Sequence, residues 1–479
     1  MTQGANLISW RDYAGVDGFG AMTADDLNEL RKALTAGQDV NNPGAAAGVG
    51  FPLRVESLED TLKNTTFSME HIEFWKMIPK IGASNTVEEF NELQDYGQLD
   101  QGAFMVEGDL PAETDSTYER RFSIVKYLGT TRRVTHVMSL VRPAHGNQIA
   151  QETINGTMYL LQRIERSLYF ADSTLDPVQW DGFEARIRAR APGNVIDLRG
   201  RPLTEAVLHD AALKVFDAPN YGRPTHLHLN PQAHNDVIKT FFPKGRYEVM
   251  AGKEDGMIGL NVQGYTSPAG RIRFTPNVFI DDGGGVSNVV ALGDPSKRPG
   301  TPSISTAQAA GANAASKFVA DDAGNYIYHV VGVNARGQSI SVQVGAALAV
   351  VAGDGVTFGV TPAPGLPLPT YYKVYRTKRN GAAATARLIL RVPNTGGAGE
   401  TTITDLNANL PGTTIAFLFQ MDATNLSFKQ LAPMLKVPLA LIDTSIRWMQ
   451  LLYGTPELYT PRHNALIINI GRDPDAVGV

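Results

Sequence analysis

The 479-residue chain contains no cysteine. Disulfides, thiolate nucleophiles and cysteine-ligated zinc are therefore excluded together, and a cytoplasmic location fits. Charge is also sparse. Only 19% of residues are Asp, Glu, Lys or Arg, with a net charge of −5, so no basic excess marks a face for gripping nucleic acid. No apolar run approaches the 18 or so residues that a membrane-spanning helix needs. The opening Met1-Thr-Gln-Gly-Ala-Asn6 lacks a basic segment followed by an apolar stretch, so no secretory signal is read there. A chain that opens on Met1 is expected to keep its amino-terminal segment. No Walker-type lysine loop and no Gly-x-Ser-x-Gly nucleophile elbow occurs.

What is present is ample core material. Hydrophobic residues make up 43% of the chain, and its length predicts two or three domains. Residues 1–55 read as an arm. It holds a short helix from Thr23 as N-cap, through Leu27, Leu30 and Leu34, to Gly37, and then a Gly/Ala linker. A second helical region is expected from Ser57 through Met69–Ile78.

Residues 96–142 read as a long β-hairpin. Its tip, Glu107-Gly-Asp-Leu-Pro-Ala-Glu-Thr-Asp115, carries four acids: Glu107, Asp109, Glu113 and Asp115. The returning strand carries Arg120, Arg121, Lys126, Arg132 and Arg133. At about 3.3 Å per residue, acidic tip and basic stem lie about 20 Å or more apart, better placed to pair between subunits than within one. An isolated hairpin of this length is barely stable in water, so it is expected to lie on something.

The strongest helix is predicted over 145–171, where Ile154, Met158, Leu161, Ile164 and Leu168 recur at helical spacing. Residues 194–280 mix helices (203–216, 231–242) with strands (225–229, 270–280), which is α+β in character. A Gly/Pro/Ser-rich linker follows at 281–302. From 303 to 412 helical periodicity vanishes and short alternating strands take over. The clearest, 324–337 and 371–376, resemble immunoglobulin or fibronectin-III sandwich strands. This stretch, 298–412, reads as an inserted all-β domain. Helical character is expected again over Phe428–Tyr453, with a last strand in Asn464–Ile470.

The order of arm, long hairpin, long helix, α+β lobe and final strand resembles the Hong Kong 97-type capsid fold of tailed phages. The segments that carry the resemblance are Glu107-Gly-Asp-Leu-Pro111 with Tyr118–Gly129, Ile164–Ser173 with Gln179–Phe183, and Asn194–Gly200 with Gly222–Pro231. Leu410–Phe417, Leu431–Ala440 and Pro461–Gly471 extend it to the carboxyl end. The resemblance implies a major capsid protein, structural and non-enzymatic, without cofactor. It further implies hexamers and pentamers on an icosahedral head around double-stranded DNA, assembled in the bacterial cytoplasm. Scaffolding, portal and possible decoration proteins are the implied partners, with DNA touched on the inner face without sequence specificity and no membrane. A near-neutral lining suits packed DNA. In that family the extended loop (here 96–142) lies across a neighbour, the spine helix is 145–171, and the axial domain is 194–280 plus part of 420–460. The core is then 56–295 and 413–479. Some members crosslink through a loop lysine; none stands between Glu107 and Arg121, which opposes that chemistry here.

Two rivals remain. An encapsulin-like compartment shares the fold, but such shells are usually short and lack a sandwich insert. A metal-dependent enzyme would use His226, His228 and His234: the first two point to one face of a strand, and the third lies one turn into the next helix. No acid sits within that motif, so packed or exposed histidines are the default. Asp281–Gly285 and Gly353–Gly355 lack the acidic spacing of a calcium loop and read as turns. Arg186, Arg188 and Arg190 alternate along one side of what reads as an extended segment, where they face packaged DNA or phosphate or, the favoured reading, form intersubunit salt bridges.

Overall fold

A computed structural model describes residues 66–97, 104–110, 113–141, 146–241, 262–281 and 284–472. The chain divides into two compact units. The smaller, Met1–Lys63 with Arg142–Asn147, falls almost wholly outside the described residues, as do the expected arm helix and Gly/Ala linker. The larger, Asn64–Val141 with Gln148–Val479, contains everything below.

In chain order it opens with α1 (Phe74–Met77), β1 (Lys80–Gly82), β2 (Val87–Asp95), β3 (Thr117–Ile124), β4 (Lys126–Thr135), α2 (His136–Leu140), α3 (Gln148–Phe170) and α4 (Phe183–Arg190). Next come β5 (Val195–Asp197), α5 (Glu205–Phe216), β6 (His226–Leu229), α6 (Pro231–Phe241), β7 (Gly264–Ser267) and β8 (Gly270–Pro276). A run of strands follows: β9 (Ser303–Ala312), β10 (Gly324–Tyr326), β11 (Tyr328–Asn334), β12 (Gly337–Gln338), β13 (Val342–Gln343), β14 (Leu348–Val350), β15 (Asp354–Thr361), β16 (Tyr371–Arg376), β17 (Arg387–Pro393) and β18 (Thr401–Asp405). The chain closes with β19 (Thr414–Phe419), β20 (Leu426–Pro438), β21 (Ser445–Leu458) and β22 (Ala465–Ile470). The fold is mixed α and β.

α3 is 23 residues long, about 35 Å at 1.5 Å per residue. Leu161, Ile164 and Leu168 of the expected stripe are buried, while Ile154 is exposed. The helix lies on the four-stranded sheet β1-β20-β21-β4. Gly156 permits the close approach: a Cβ there would stand 2.0 Å from Gln450 Oε1. The Gln450 amide donates to Thr153 O (2.8 Å) and Thr157 Oγ1 (3.1 Å), which stitches β21 to the helix.

β20 and β21 correct the expected helix over Phe428–Tyr453. They form a long antiparallel hairpin against β4, so 426–458 is strand in this sheet and not helix. Register shifts at Gln430/Ala432 and Ala432/Leu435 insert extra residues into β20. Those bulges turn alternation into the three-and-four spacing of Phe428, Leu431 and Leu435, which mimics a helix. The expected helix through Met69–Ile78 is likewise broken into a single 3-10 turn, Met69–His71, and the four-residue α1.

A six-stranded sheet, β5-β22-β19-β6-β8-β7, is flanked by α5 and α6. The chain leaves it after β8 and returns at β19. Between them, β18-β15-β9 forms one sheet and β12-β11-β16-β17 the core of another, and Tyr328, Val330, Tyr372 and Val374 share a core with Val356, Phe358, Val360 and Ile403. Within it Arg376 is buried against Asp405 (2.5 Å) and Asn407 Oδ1 (2.6 Å). Asp197 joins this region to the six-stranded sheet by accepting from Asn469 Nδ2 (2.7 Å) and Lys317 Nζ (3.2 Å). Residues 284–302 meet these strands through bridges at Gly285–Arg387 and Leu292–Gln338.

Candidate assembly surfaces

β2 and β3 pair from Val87–Ile124 outward to Asp95–Thr117. The expected hairpin of 96–142 therefore begins earlier and ends sooner. Val125, 1% exposed, anchors a bend, after which β4 joins β21 instead of continuing the arm. Strand alternation gives the hairpin two faces. The inner face is fastened to the body: Phe90 meets Tyr459 edge-on at 4.9 Å, Glu88 pairs with Lys429 at 3.6 Å, and Glu92 pairs with Arg190. The outer face carries Val87, Leu93, Tyr118, Phe122 and Ile124, all exposed, with Phe122 68% accessible. Large apolar side chains grouped in this way on water mark an interaction surface.

The basic stem pairs largely inside its own chain. Arg120 reaches Glu89 at 2.7 Å, Arg121 contacts Glu119 and Glu92, and Arg132 lies 3.5 Å from Glu152 on α3. Arg133 is exposed, and its charge helps hold the Asp443 carboxyl low, behind the larger effects of Ser445 and Arg447. The tip differs. Glu107, Asp109, Glu113 and Asp115 are exposed and, among the described residues, enter no ion pair. Beside them Phe104, Met105, Val106 and Leu110 stand in solvent, Phe104 completely. Gly108, at φ +92°, supplies the turn that presents them.

Arg186, Arg188 and Arg190 lie on α4, not on an extended segment. Phe183 and Ile187 form its buried stripe. The arginines pair within the chain with Glu457 (3.5 Å), Glu184 (2.9 Å) and Glu92 respectively. The i,i+4 spacings Phe183/Ile187 and Glu184/Arg188 are the sequence signal for that helix.

The histidines of the metal reading have separate roles. His228 is buried in an aromatic cluster with Phe74 and Phe419, its Nδ1 2.7 Å from Tyr169 Oη. Burial, aided by the charge of nearby His226, pulls its pKa down to about 3. His226 contacts Thr225 Oγ1, and His234 Nε2 lies 3.2 Å from Val262 O. Among the described residues no group of three His, Asp or Glu side chains is placed to hold a metal ion. Nor is any described helix long and apolar enough to cross a membrane. Next to His228, the buried Glu165 carboxylate accepts from the N–H groups of Phe74 and Trp75 (both 2.8 Å) and from Asn277 Nδ2 (2.6 Å). Sequence reading missed this network; a glutamate inside the apolar stripe of α3 is its only signal.

The chain is similar to phage capsid proteins. The major capsid protein of Staphylococcus phage K is 25% identical over 431 residues, covering 87% of this chain and 90% of that protein. A putative major capsid protein of Enterococcus phage phiEF24C is 24% identical over 455 residues, covering 92% and 94%. Among solved structures, the capsid of cyanophage P-SCSP1u superposes with a TM-score of 0.43 at 10% identity, covering 94% of this chain and 99% of that one. The SrpI encapsulin complex of Synechococcus elongatus gives 0.37 at 10% identity, covering 86% and 92%. The family described as SU10 major capsid protein matches residues 34–298, more than half the sequence, and the chain belongs to that phage capsid family.

Proposed function

We propose that the chain self-assembles into the hexamers and pentamers of an icosahedral phage head of the Hong Kong 97 type, enclosing double-stranded DNA. The observation that carries this reading is the β2–β3 hairpin. It offers an apolar outer face and an acidic tip that nothing in the described chain covers. A free monomer leaves that area wet, and burying it at about 25 cal/mol per Å² would help drive assembly. Residues 56–295 and 413–479 form the shell core, residues 1–55 an arm to a neighbour, and 298–412 an immunoglobulin- or fibronectin-III-like insert. Assembly takes place in the host cytoplasm, with scaffolding, portal and decoration proteins as the candidate partners.

Replacing Tyr118 and Phe122 together with serine tests the reading. Both are exposed in the subunit, so unfolding of the unassembled chain should move by about 0.5 kcal/mol or less. Assembly into fast-sedimenting particles should be lost. Normal particles from this double variant would contradict the role given to the hairpin.

A further inference from the structure

In the strand-rich segment, one sheet face carries positive charge without matching negative charge. Tyr372 and Val374 of β16 enter the core shared with β15 and β18, so Tyr371, Lys373 and Tyr375 project to the other side. There Lys373 stands directly opposite Arg391 of β17. Cross-strand partners share a face, and like charges in that position repel. Both side chains are half-buried. Arg391 donates to Phe170 O (3.3 Å), which brings this face to the end of α3. From the helix, Arg163 and Arg166 add two more guanidinium groups, at the i,i+3 spacing that puts them on one side.

Few partners offset these four cations. Arg166 holds Asp281 through two contacts, at 2.7 and 3.3 Å. Lys373 donates to the neutral Gln338 Oε1 (3.0 Å), and exposed Arg163 lies over the Tyr159 ring at 5.5 Å. A second nearby carboxylate, Asp176, acts on Tyr371 but accepts from Val178 N and Gln179 Nε2 within its own turn. Among the described residues, four cations against two carboxylates leave an excess of two positive charges. Burial, followed by the charges of Arg391, Arg166 and Arg163, pulls the Lys373 amine down to about 8, with Asp281 opposing. Keeping a lysine half-buried beside three guanidinium groups costs stability unless an anion joins them.

We propose that this face binds a single phosphate ion between the Lys373–Arg391 pair of the sheet and Arg163 of α3. A phosphate group carries about 1.5 to 2 negative charges near neutral pH, which matches the excess. Its oxygens accept from an ammonium and two guanidinium groups at once. A carboxylate would leave positive charge over. The recessed Lys373 and Arg391 suit one small ion rather than the continuous phosphate line of a DNA strand. Bound there, the ion ties α3 to β16 and β17 and stiffens the joint between them. The proposal does not depend on the self-assembly reading.

The test is binding of inorganic phosphate by the full, unassembled chain, followed by calorimetry and by thermal unfolding, with chloride at equal ionic strength as the control. Saturable binding and a rise in melting temperature are expected. Lys373→Met, Arg391→Gln and Arg163→Gln should each weaken binding about tenfold or more. If Arg391→Gln fails to fold, Arg163→Gln on the exposed side of α3 carries the same test. Lys373→Met gives a second readout, because it also removes the repulsion. It should raise the melting temperature in chloride and erase the increment that phosphate adds to the parent chain. A phosphate increment that survives this substitution, or no saturable binding by the parent, overturns the proposal. Trace acylation of amines, read by mass spectrometry, should show Lys373 shielded by phosphate and exposed Lys378 unchanged; equal labelling of Lys373 in both buffers contradicts the site. A short single-stranded DNA oligonucleotide should bind more weakly than phosphate. Tighter binding that is lost with the same substitutions would make the ligand a phosphodiester and overturn the assignment to a free ion.

Discussion

A neutral imidazole inside an aromatic cluster makes His228 one source of acid sensitivity in this protein. The folded pKa of His228 falls to about 3, below the ordinary 6.5, because burial disfavours its charge. Between those values the unfolded chain binds the extra proton and the folded chain does not. Stability linked to His228 is therefore full above pH 6.5 and lost as pH drops toward about 3. Glu165 acts with the opposite sign. Burial raises its pKa against the hydrogen bonds that lower it, so its contribution is full below 4.5 and fades as pH rises through the elevated value. Melting temperature followed from pH 7 to pH 4 should fall less steeply in His228→Phe and more steeply in Glu165→Gln than in the parent chain. Equal slopes in all three would contradict the assignment. The sequence left His226 and His228 as packed or exposed histidines by default, with a ligand pair as the rival, and did not say which was which. Only the packing of Tyr169, Phe74 and Phe419 shows that one of the two is a core residue.

At the scale of elements, the hairpin is an arm fixed on one face and open on the other. Arg190 is a principal fastener, donating to Glu92 and to Leu458 O (3.0 Å). Arg190→Ala should loosen β2–β3 without melting the sheet. Amide exchange in Val87–Asp95 and Thr117–Ile124 should quicken about tenfold to a hundredfold, the equivalent of about 1.4–2.8 kcal/mol. Exchange in β21 should stay unchanged; parallel acceleration there would mean that the arginine supports the core instead. Elements with an undisturbed period were readable in advance. α3 follows its apolar stripe, α5 and α6 fall within a few residues of expectation, and β22 follows its apolar run. Where the period was disturbed, reading failed. Bulges in β20 imitated a helix, and arginines at every second position of α4 imitated a strand. β2 escaped notice because three glutamates and an asparagine crowd the first seven of its nine residues, Val87 to Leu93. The acidic tip was seen from composition alone, but the apolar face beside it needed the register of β2 with β3 to become visible.

For the whole molecule, the open question of design is why a phage capsid protein carries the strand-rich segment between β8 and β19. Its buried Arg376–Asp405 pair and its joint through Asp197, Lys317 and Asn469 make it a fixed part of the subunit rather than a tethered bead. Deleting 300–411 separates two uses. Particles that still form but bind host cells poorly would point to surface attachment; failure of assembly would point to contacts between capsomers. The joint favours the second outcome, because its loss takes Lys317 from Asp197 and Ala408 and Leu410 from Asn469 at the edge of the six-stranded sheet. The most direct measurement is electron microscopy of the full-length chain, expressed alone and together with the proposed scaffolding partner. Closed icosahedral shells with six-fold and five-fold capsomers are the expected result. Dispersed monomers under both conditions, above all monomers with metal-dependent turnover, would contradict it.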